Sequence, residues 1–287
     1  MRILLTGSEG FIGKVLMKKL RDLGHEVIGM DIKRDCLLDD ISKEVNVECA
    51  VKNTMPEFII HLGALAGVRK SLEIPDKYFE TNVTGTYWLL KWAKKMGVKK
   101  FLFASSSSVY GGKESPLKEN MNCDSQLSPY AVSKRSAELV CKMFSKYLPV
   151  IVFRPFTVYG TNGRQDMVVG ELLKAGKEGR EFIKYGDGNS ARGYTHVEDL
   201  TDGIIKLLNY EPNEGFDIFN IGGSEVVKLN ELIEIVKENY PKLKIKEIKM
   251  PDVDVYYSYA DISKMKEKVG WQPIKKFKEE IKKLCSI

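Results

Sequence analysis

Apolar residues in the first 155 positions fall into short unbroken runs separated by helix-spaced stretches. Residues 3–6, 26–30, 58–62, 100–104 and 150–153 have the length and continuity of strands buried on both faces. Phe11, Val15, Leu16, Leu20 and Leu23 recur at helical spacing across 11–23, and amphipathic stretches cover roughly 78–96 and 129–147. Residues 35–38 are the best candidate for a further, weaker strand. This alternation predicts βαβ units and an α/β fold with a doubly wound parallel sheet.

The texture changes after Pro155. Glycines become frequent and the pattern turns irregular, with helical stretches at 167–174, 197–208, 229–239 and 275–284. The expected division is a sheet domain over 1–156 and a smaller α/β domain over 157–287, laid over the C-terminal edge of the sheet. The boundary near Thr157 stays open, because segments within 190–222, such as 217–221, are candidates to return to the main sheet.

Composition narrows the class. The chain has 287 residues, 43% hydrophobic and 29% charged, as an ordinary globular protein does. Its most apolar run, 58–68, is eleven residues long and holds His61, too short for the roughly 20 residues of a membrane span. The first strand-like run begins at once, which predicts no targeting segment. Five scattered cysteines without C-x-x-C spacing and three histidines predict neither disulfides nor a metal site, but reduced thiols in the cytoplasm. The net charge of +6 could favour an anionic ligand. The lysines are dispersed over helix faces (Lys91, Lys94, Lys95, Lys99), and no nucleic-acid module is recognisable.

Gly7-Ser8-Glu9-Gly10-Phe11-Ile12-Gly13 joins the first strand to the first helix. Glycines there permit a tight turn and close approach of backbone N–H groups to a pyrophosphate, which the helix N-terminus also attracts. Asp31 ends the second strand eighteen residues after Gly13, where a carboxylate accepts ribose hydroxyls and favours NAD over NADP. Lys33 and Arg34 could instead meet a 2′-phosphate.

Tyr130 and Lys134 stand at i and i+4, on one helical face. A nearby ammonium stabilises a phenolate, which can then remove a hydroxyl proton as hydride leaves the same carbon. Pro129 marks a helix start, and the run Ser105-Ser106-Ser107-Ser108 follows a strand, where a hydroxyl can bridge tyrosine and substrate.

The motifs T-G-x-x-G-F-I-G, H-L-G-A, S-S-S-S-V-Y-G, S-P-Y-x-x-S-K and R-P-F-x-V-Y-G, with the late Gly270-Trp271-Gln272-Pro273, resemble those of extended short-chain dehydrogenases/reductases. They are most similar to the nucleotide-sugar epimerase/dehydratase branch, in order over nearly the whole chain. The resemblance implies a Rossmann-type sheet of about seven strands, a nucleotide-sugar domain, and NAD held tightly and regenerated each turnover. It implies Tyr130 as base, Lys134 as its modulator and ribose anchor, and Ser106 as hydroxyl partner, with Ser105 or Ser107 as neighbouring choices. It places Gly7, Gly10, Phe11, Ile12, Gly13 and Asp31 at the cofactor. The same holds for Leu62, Gly63, Ala64, Asn82, Ser105 and Pro155, and for Asp39 or Asp40 beside the adenine.

Three reactions of the branch can be separated. In its 4,6-dehydratases an Asp-Glu pair serves as acid and base; Ser107 and Ser108 stand there and cannot. A 4-epimerase needs only Tyr130, Lys134, Ser106 and NAD. Thr157 fills a slot that is Asn in hexose epimerases, and Gly163-Arg164-Gln165-Asp166-Met167 is similar to G-R-P-D-M of UDP-glucuronate 4-epimerases. The resemblance implies that Thr157 and Arg164 hold the C6 carboxylate; alternatively Thr157 merely packs, and Arg164 pairs locally with Asp166 or Glu171. Fixing the carboxylate guards a β-keto acid against loss of CO2. Ser106, Ser107 and Tyr130 are further implied at the sugar, Tyr185 beside the uracil, Arg192 at the diphosphate and Asp254 late in the site. Gly193 departs from the family's Asp after that arginine.

The expected activity is 4-epimerisation of a UDP-sugar, UDP-glucuronate to UDP-galacturonate first. The alternatives are a UDP-glucose/UDP-galactose 4-epimerase, a UDP-glucuronate decarboxylase, a 4,6-dehydratase, or a non-catalytic NAD sensor. No nucleic-acid or membrane partner is expected, and the resemblance implies a homodimer through helices around 87–96 and 129–147.

Overall fold

The computed structural model describes residues 1–34 and 40–286. Asp39, Cys36 and the strand candidate at 35–38 lie outside the described residues. The chain forms two compact units. The first is Met1–Gly111, Glu119–Arg154 and Thr201–Phe219; the second is Gly112–Lys118, Pro155–Leu200 and Asn220–Ile287.

The elements follow the apolar pattern. They run β1 (Arg2–Thr6), α1 (Phe11–Asp22), β2 (Glu26–Met30), α2 (Glu44–Thr54), β3 (Phe58–His61), α3 (Val68–Glu73), α4 (Pro75–Phe79), α5 (Gly85–Lys95), β4 (Lys100–Ala104), α6 (Pro129–Phe144) and β5 (Val150–Pro155). A π-helical turn, Glu80–Thr84, joins α4 to α5. Next come β6 (Val158–Tyr159), α7 (Val168–Glu178), β7 (Glu181–Tyr185), β8 (Ala191–Gly193), β9 (Thr195–His196), α8 (Val197–Leu208) and β10 (Phe216–Ile221). The chain ends with β11 (Val226–Lys228), α9 (Leu229–Lys237), β12 (Lys244–Ile248), β13 (Tyr257–Ser258), α10 (Ser263–Val269) and α11 (Phe277–Cys285).

Among the described residues the main sheet has six strands, in the order β10-β5-β4-β3-β1-β2. The resemblance implies about seven, and the candidate for a further strand at 35–38 lies outside the described residues. The chain after Asp40 turns into α2 and reaches β3 with no further strand among the described residues. The β1–β2, β1–β3, β3–β4 and β4–β5 pairs are all parallel. Successive side chains of a strand point to opposite faces. Leu4, Ile59, Phe101, Phe103 and Val152 therefore share one face, packed with Leu89, Ala93, Ala137 and Cys141 of α5 and α6. Ile3, Leu5, Ile60, Leu102 and Ile151 alternate with them and are fully buried as well. Burial on both faces explains why these strands read as unbroken apolar runs.

Register sets the position of the site. Thr6 pairs with Met30 and with His61, and His61 pairs with Phe103. Parallel strands ending level release their C-terminal loops along one edge, where open α/β sheets bind ligands. The loops that begin at Gly7, Asp31, Leu62 and Ser105 all leave from that edge.

The second unit packs α7, α9 and α11 around Leu172, Leu232, Val236, Phe277 and Ile281. Its sheets are small: β11-β8-β13, β12-β7 and β6-β9. Among the described residues no helix is long and apolar enough to cross a membrane. Their four cysteines are free thiols.

Candidate active site

Sterics dictate the glycine turn. Gly7 has φ +71°, and a Cβ there would lie 2.7 Å from the amide nitrogen of Gly63. A Cβ at Gly13 would lie 2.1 Å from the carbonyl oxygen of Gly7. Helix α1 then starts at Phe11 with no side-chain cap and no acidic residue in its first turn. Its first N–H groups are thus left for an anion, which the helix dipole favours. Asp31 is fixed beside this turn, its carboxylate accepting the backbone N–H groups of Glu9 at 2.9 Å and of Lys33 at 3.0 Å. Asp40 accepts the N–H of Ser42 through its side chain.

A polar relay orders the neighbouring loop, which carries Leu62, Gly63 and Ala64. The Gly63 N–H donates to Thr6 Oγ1 at 3.0 Å, and Thr6 Oγ1 lies 2.7 Å from His61 Nδ1. His61 Nε2 lies 3.0 Å from Thr86 Oγ1, whose own proton goes to the Asn82 carbonyl at 2.6 Å. With the Thr86 proton committed, His61 must carry its proton on Nε2 and accept at Nδ1. Burial, with Lys134 adding to it, lowers the His61 pKa well below the usual value, so the ring stays neutral.

Asn82 sits in the π-helical turn and is fully enclosed. Its side chain accepts from Leu65 N and donates to Leu65 O, at 2.9 and 3.0 Å. It also donates to Ser133 Oγ, which donates in turn to the Tyr130 carbonyl. Tyr78 adds a second brace. Its hydroxyl donates to the Ala66 and Gly67 carbonyls, and its ring meets that of Tyr130 edge to face at 6.1 Å.

Helix α6 begins where its sequence demands. Ser128 accepts the Ala131 N–H and Pro129 occupies the first turn. Tyr130 therefore falls in the first turn and Lys134 one turn later on the same face. The Lys134 ammonium is buried, donates to the Ala104 carbonyl at 2.7 Å, and stands 4.8 Å over the Phe103 ring. Burial pushes its pKa down to about 8, against the pull of Cys141 and Glu138. This bond ties the tyrosine helix to the last residue of β4, two positions before Ser106. Ser106 Oγ accepts the Ser108 N–H at 3.1 Å, which caps the short turn holding Ser107. The Ser105 hydroxyl is directed elsewhere, donating to Glu138 at 2.6 Å.

The second unit brings Thr157 and Arg164 to the lining of one cavity of about 560 Å³. Arg164 forms a two-pronged pair with Asp166 at 2.9 and 2.6 Å, both side chains partly exposed. Arg192, on β8, donates to the carbonyls of Ala191, Val255 and Tyr256. Burial lowers its pKa, while Tyr194 and Asp254 oppose the shift. Arg192 and Asp254 thus share one neighbourhood; Tyr185 ends β7 in a different small sheet, and Pro155 closes β5. Among the described residues no cluster of His, Cys, Asp or Glu could hold a metal ion.

Thr6, Tyr78, Thr86, Ser133, Glu138 and Arg154 were not singled out from sequence, and His61 was given no role. Thr6, Ser133 and Arg154 stand inside the motifs quoted above, and Glu138 lies four residues beyond Lys134.

A glycine-lined strand-to-helix turn, an acidic end to β2 and a Tyr-x-x-x-Lys helix over the same sheet define a dinucleotide-binding α/β enzyme of Rossmann type. The chain belongs to the NAD dependent epimerase/dehydratase family, whose pattern matches residues 3–222. It is 35% identical to a UDP-glucuronate 4-epimerase of Thermodesulfobacterium geofontis, over 98% of this chain and 94% of that protein. It is similar to the solved UDP-glucuronic acid 4-epimerase of Bacillus cereus, in complex with UDP-glucuronic acid and NAD. That likeness has a TM-score of 0.90 and 28% identity, covering 100% of this chain and 98% of the other. A UDP-glucose 4-epimerase of Thermotoga maritima, solved with UDP-glucose, gives a TM-score of 0.91 and 31% identity, with 100% and 98% coverage.

Proposed function

We propose that the chain is an NAD-dependent UDP-sugar 4-epimerase whose substrate pair is UDP-glucuronate and UDP-galacturonate. The observation that supports the choice of sugar is that Thr157 and Arg164 both line one cavity. A guanidinium matches a carboxylate in two-pronged fashion. The Asp166 pair that now occupies Arg164 is partly exposed, and such pairs contribute at most about 1 kcal/mol. Exchange of Asp166 for a ligand carboxylate therefore costs little.

The residues fit NAD: the turn is clear of Cβ atoms, the α1 N-terminus is uncapped, and Asp31 favours an unphosphorylated ribose. When bound, NAD supplies reversible hydride acceptance. Tyr130 removes the C4 hydroxyl proton and later returns it. Lys134 stabilises the phenolate by its charge and anchors ribose. Ser106 hydrogen-bonds the sugar oxygen, and Thr157 with Arg164 fixes the C6 carboxylate so that the 4-keto sugar keeps its CO2. Ser107 contacts the sugar, Tyr185 the uracil and Arg192 the diphosphate, with Asp254 nearby. The 1–156 segment, with segments from 190–222 that return to it, serves the cofactor, and the rest of 157–287 the nucleotide sugar. The enzyme is cytoplasmic and acts as a homodimer through α5 and α6, where Leu139 and Met143 stand exposed.

Arg164→Ala tests this reading. A lost hydrogen-bonded charge is worth about 1.5–3 kcal/mol, so kcat/KM for UDP-glucuronate should fall roughly 10- to 150-fold. The value for UDP-glucose should change less than about threefold. Equal losses on both sugars would make Arg164 a structural residue.

A further inference from the structure

Helix α6 carries a buried carboxylate one turn beyond Lys134. Glu138 is 1% exposed, and both its oxygens are fully engaged. Oε1 accepts from the Ser105 hydroxyl at 2.6 Å and from Arg154 Nε at 2.7 Å. Oε2 accepts from Arg154 Nη2 at 2.7 Å and from Arg135 Nη1 at 3.0 Å. The Arg154 guanidinium, on β5, also lies over the Tyr110 ring at 4.7 Å. Its Nη1 has no hydrogen-bond partner among the described residues, so its pose rests on Glu138 and that ring.

Ser105 and Tyr110 bound the segment that carries Ser106 and Ser107. Glu138 holds the first directly and the last through Arg154. Between them the Ser106 hydroxyl and carbonyl accept the N–H groups of Ser108 and Val109. Stability alone is a weak reason for such a cluster, because apolar side chains of similar volume commonly stabilise as well as a buried ion pair. We propose that Glu138 is a positioning residue. With Arg154 and Ser105 it fixes residues 105–110, and with them the Ser106 hydroxyl, against the face of α6 that carries Tyr130 and Lys134. The inference rests on the reading of those three residues as the reacting groups.

Lys134 provides a second readout. Glu138 and Cys141 on α6 pull its pKa up against burial, and His61 on β3 faces it as a neutral ring. Lys134 is cationic below about pH 8 and loses its charge as pH rises through that value. Removing the Glu138 charge removes an upward pull, so the alkaline fall of kcat/KM moves to lower pH.

The test uses the full-length enzyme with two variants and two measurements: steady-state kinetics against pH, and amide hydrogen exchange at Ser108 and Val109. Ser105→Ala should lower kcat more than tenfold with KM within threefold, speed exchange at those amides more than tenfold, and leave the alkaline limb in place. Glu138→Gln should show the same losses and shift the limb to lower pH; if it fails to fold, Ser105→Ala alone decides. Unchanged kcat or unchanged exchange in Ser105→Ala overturns the proposal; kcat loss without faster exchange makes the hydroxyl a direct contact instead. If the wild type turns over no UDP-sugar, the epimerase reading fails, and the exchange result still decides whether Glu138 orders the segment.

Discussion

Tyr130→Phe lowers kcat by about 10²- to 10⁴-fold, the usual contribution of a positioned acid–base group, and leaves the fold and NAD content unchanged. The substitution removes one oxygen and keeps the ring that meets Tyr78 edge to face. The backbone around it is held by groups other than that oxygen. Ser128 caps the helix, and the Tyr130 carbonyl is held by Ser133, itself bonded to Asn82. A loss confined to kcat, at constant melting temperature, follows from this separation of chemistry and support. A loss under tenfold would remove Tyr130 from the role of base.

Gly13→Ala produces the second large effect, in the cofactor rather than the chemistry. The added methyl would start 2.1 Å from the Gly7 carbonyl oxygen, and backbone cannot swing aside as a side chain can. The α1 N-terminus must move away from the turn, and overpacking of this kind costs about 1–3 kcal/mol. We expect the purified variant to carry less than about a tenth of the wild-type NAD, read by extraction and absorbance. Gly24→Ala is the control. Gly24, unlike Gly13, has a positive φ, +79°, and nothing lies within 4 Å of its Cβ position. That variant should lose stability and keep its NAD. Equal NAD content in Gly13→Ala and wild type would contradict the placement of the pyrophosphate at this turn.

Local chemistry was legible in the sequence where one segment carries all of it. The glycine turn needs only its own seven residues and the strand before it. The Tyr130–Lys134 face needs one helix, and the Ser128-Pro129 start marks it. The main strands announced themselves because both faces are buried. The second unit gave less, since β6, β9 and β13 span two residues each and offer no periodicity to read. Helix α2 was missed for a related reason: it buries only Asn46, Val47 and Val51, too few for an apolar stripe.

Long-range polar pairs were the least legible. The His61 relay joins Thr6, Gly63, Thr86 and Asn82 across β1, β3 and the π-helical turn. Nothing about a lone histidine in an apolar run names those partners. Lys100 shows the same limit. It reads as one more polar residue at the start of a strand, yet it is buried and donates to the carbonyls of Leu208 and Tyr210 at the end of α8. Arg164 was the opposite case, since its partner stands two residues away and was among the pairings considered from sequence.

On the proposed reading the chain inverts C4 of an acidic UDP-sugar and keeps the carboxylate. The most direct measurement incubates the enzyme with UDP-glucuronate and, separately, with UDP-glucose, and follows the products by NMR. UDP-galacturonate should form from the first and little or no UDP-galactose from the second. UDP-xylose or a UDP-4-ketopentose from the first, or faster turnover of the neutral sugar, would contradict it.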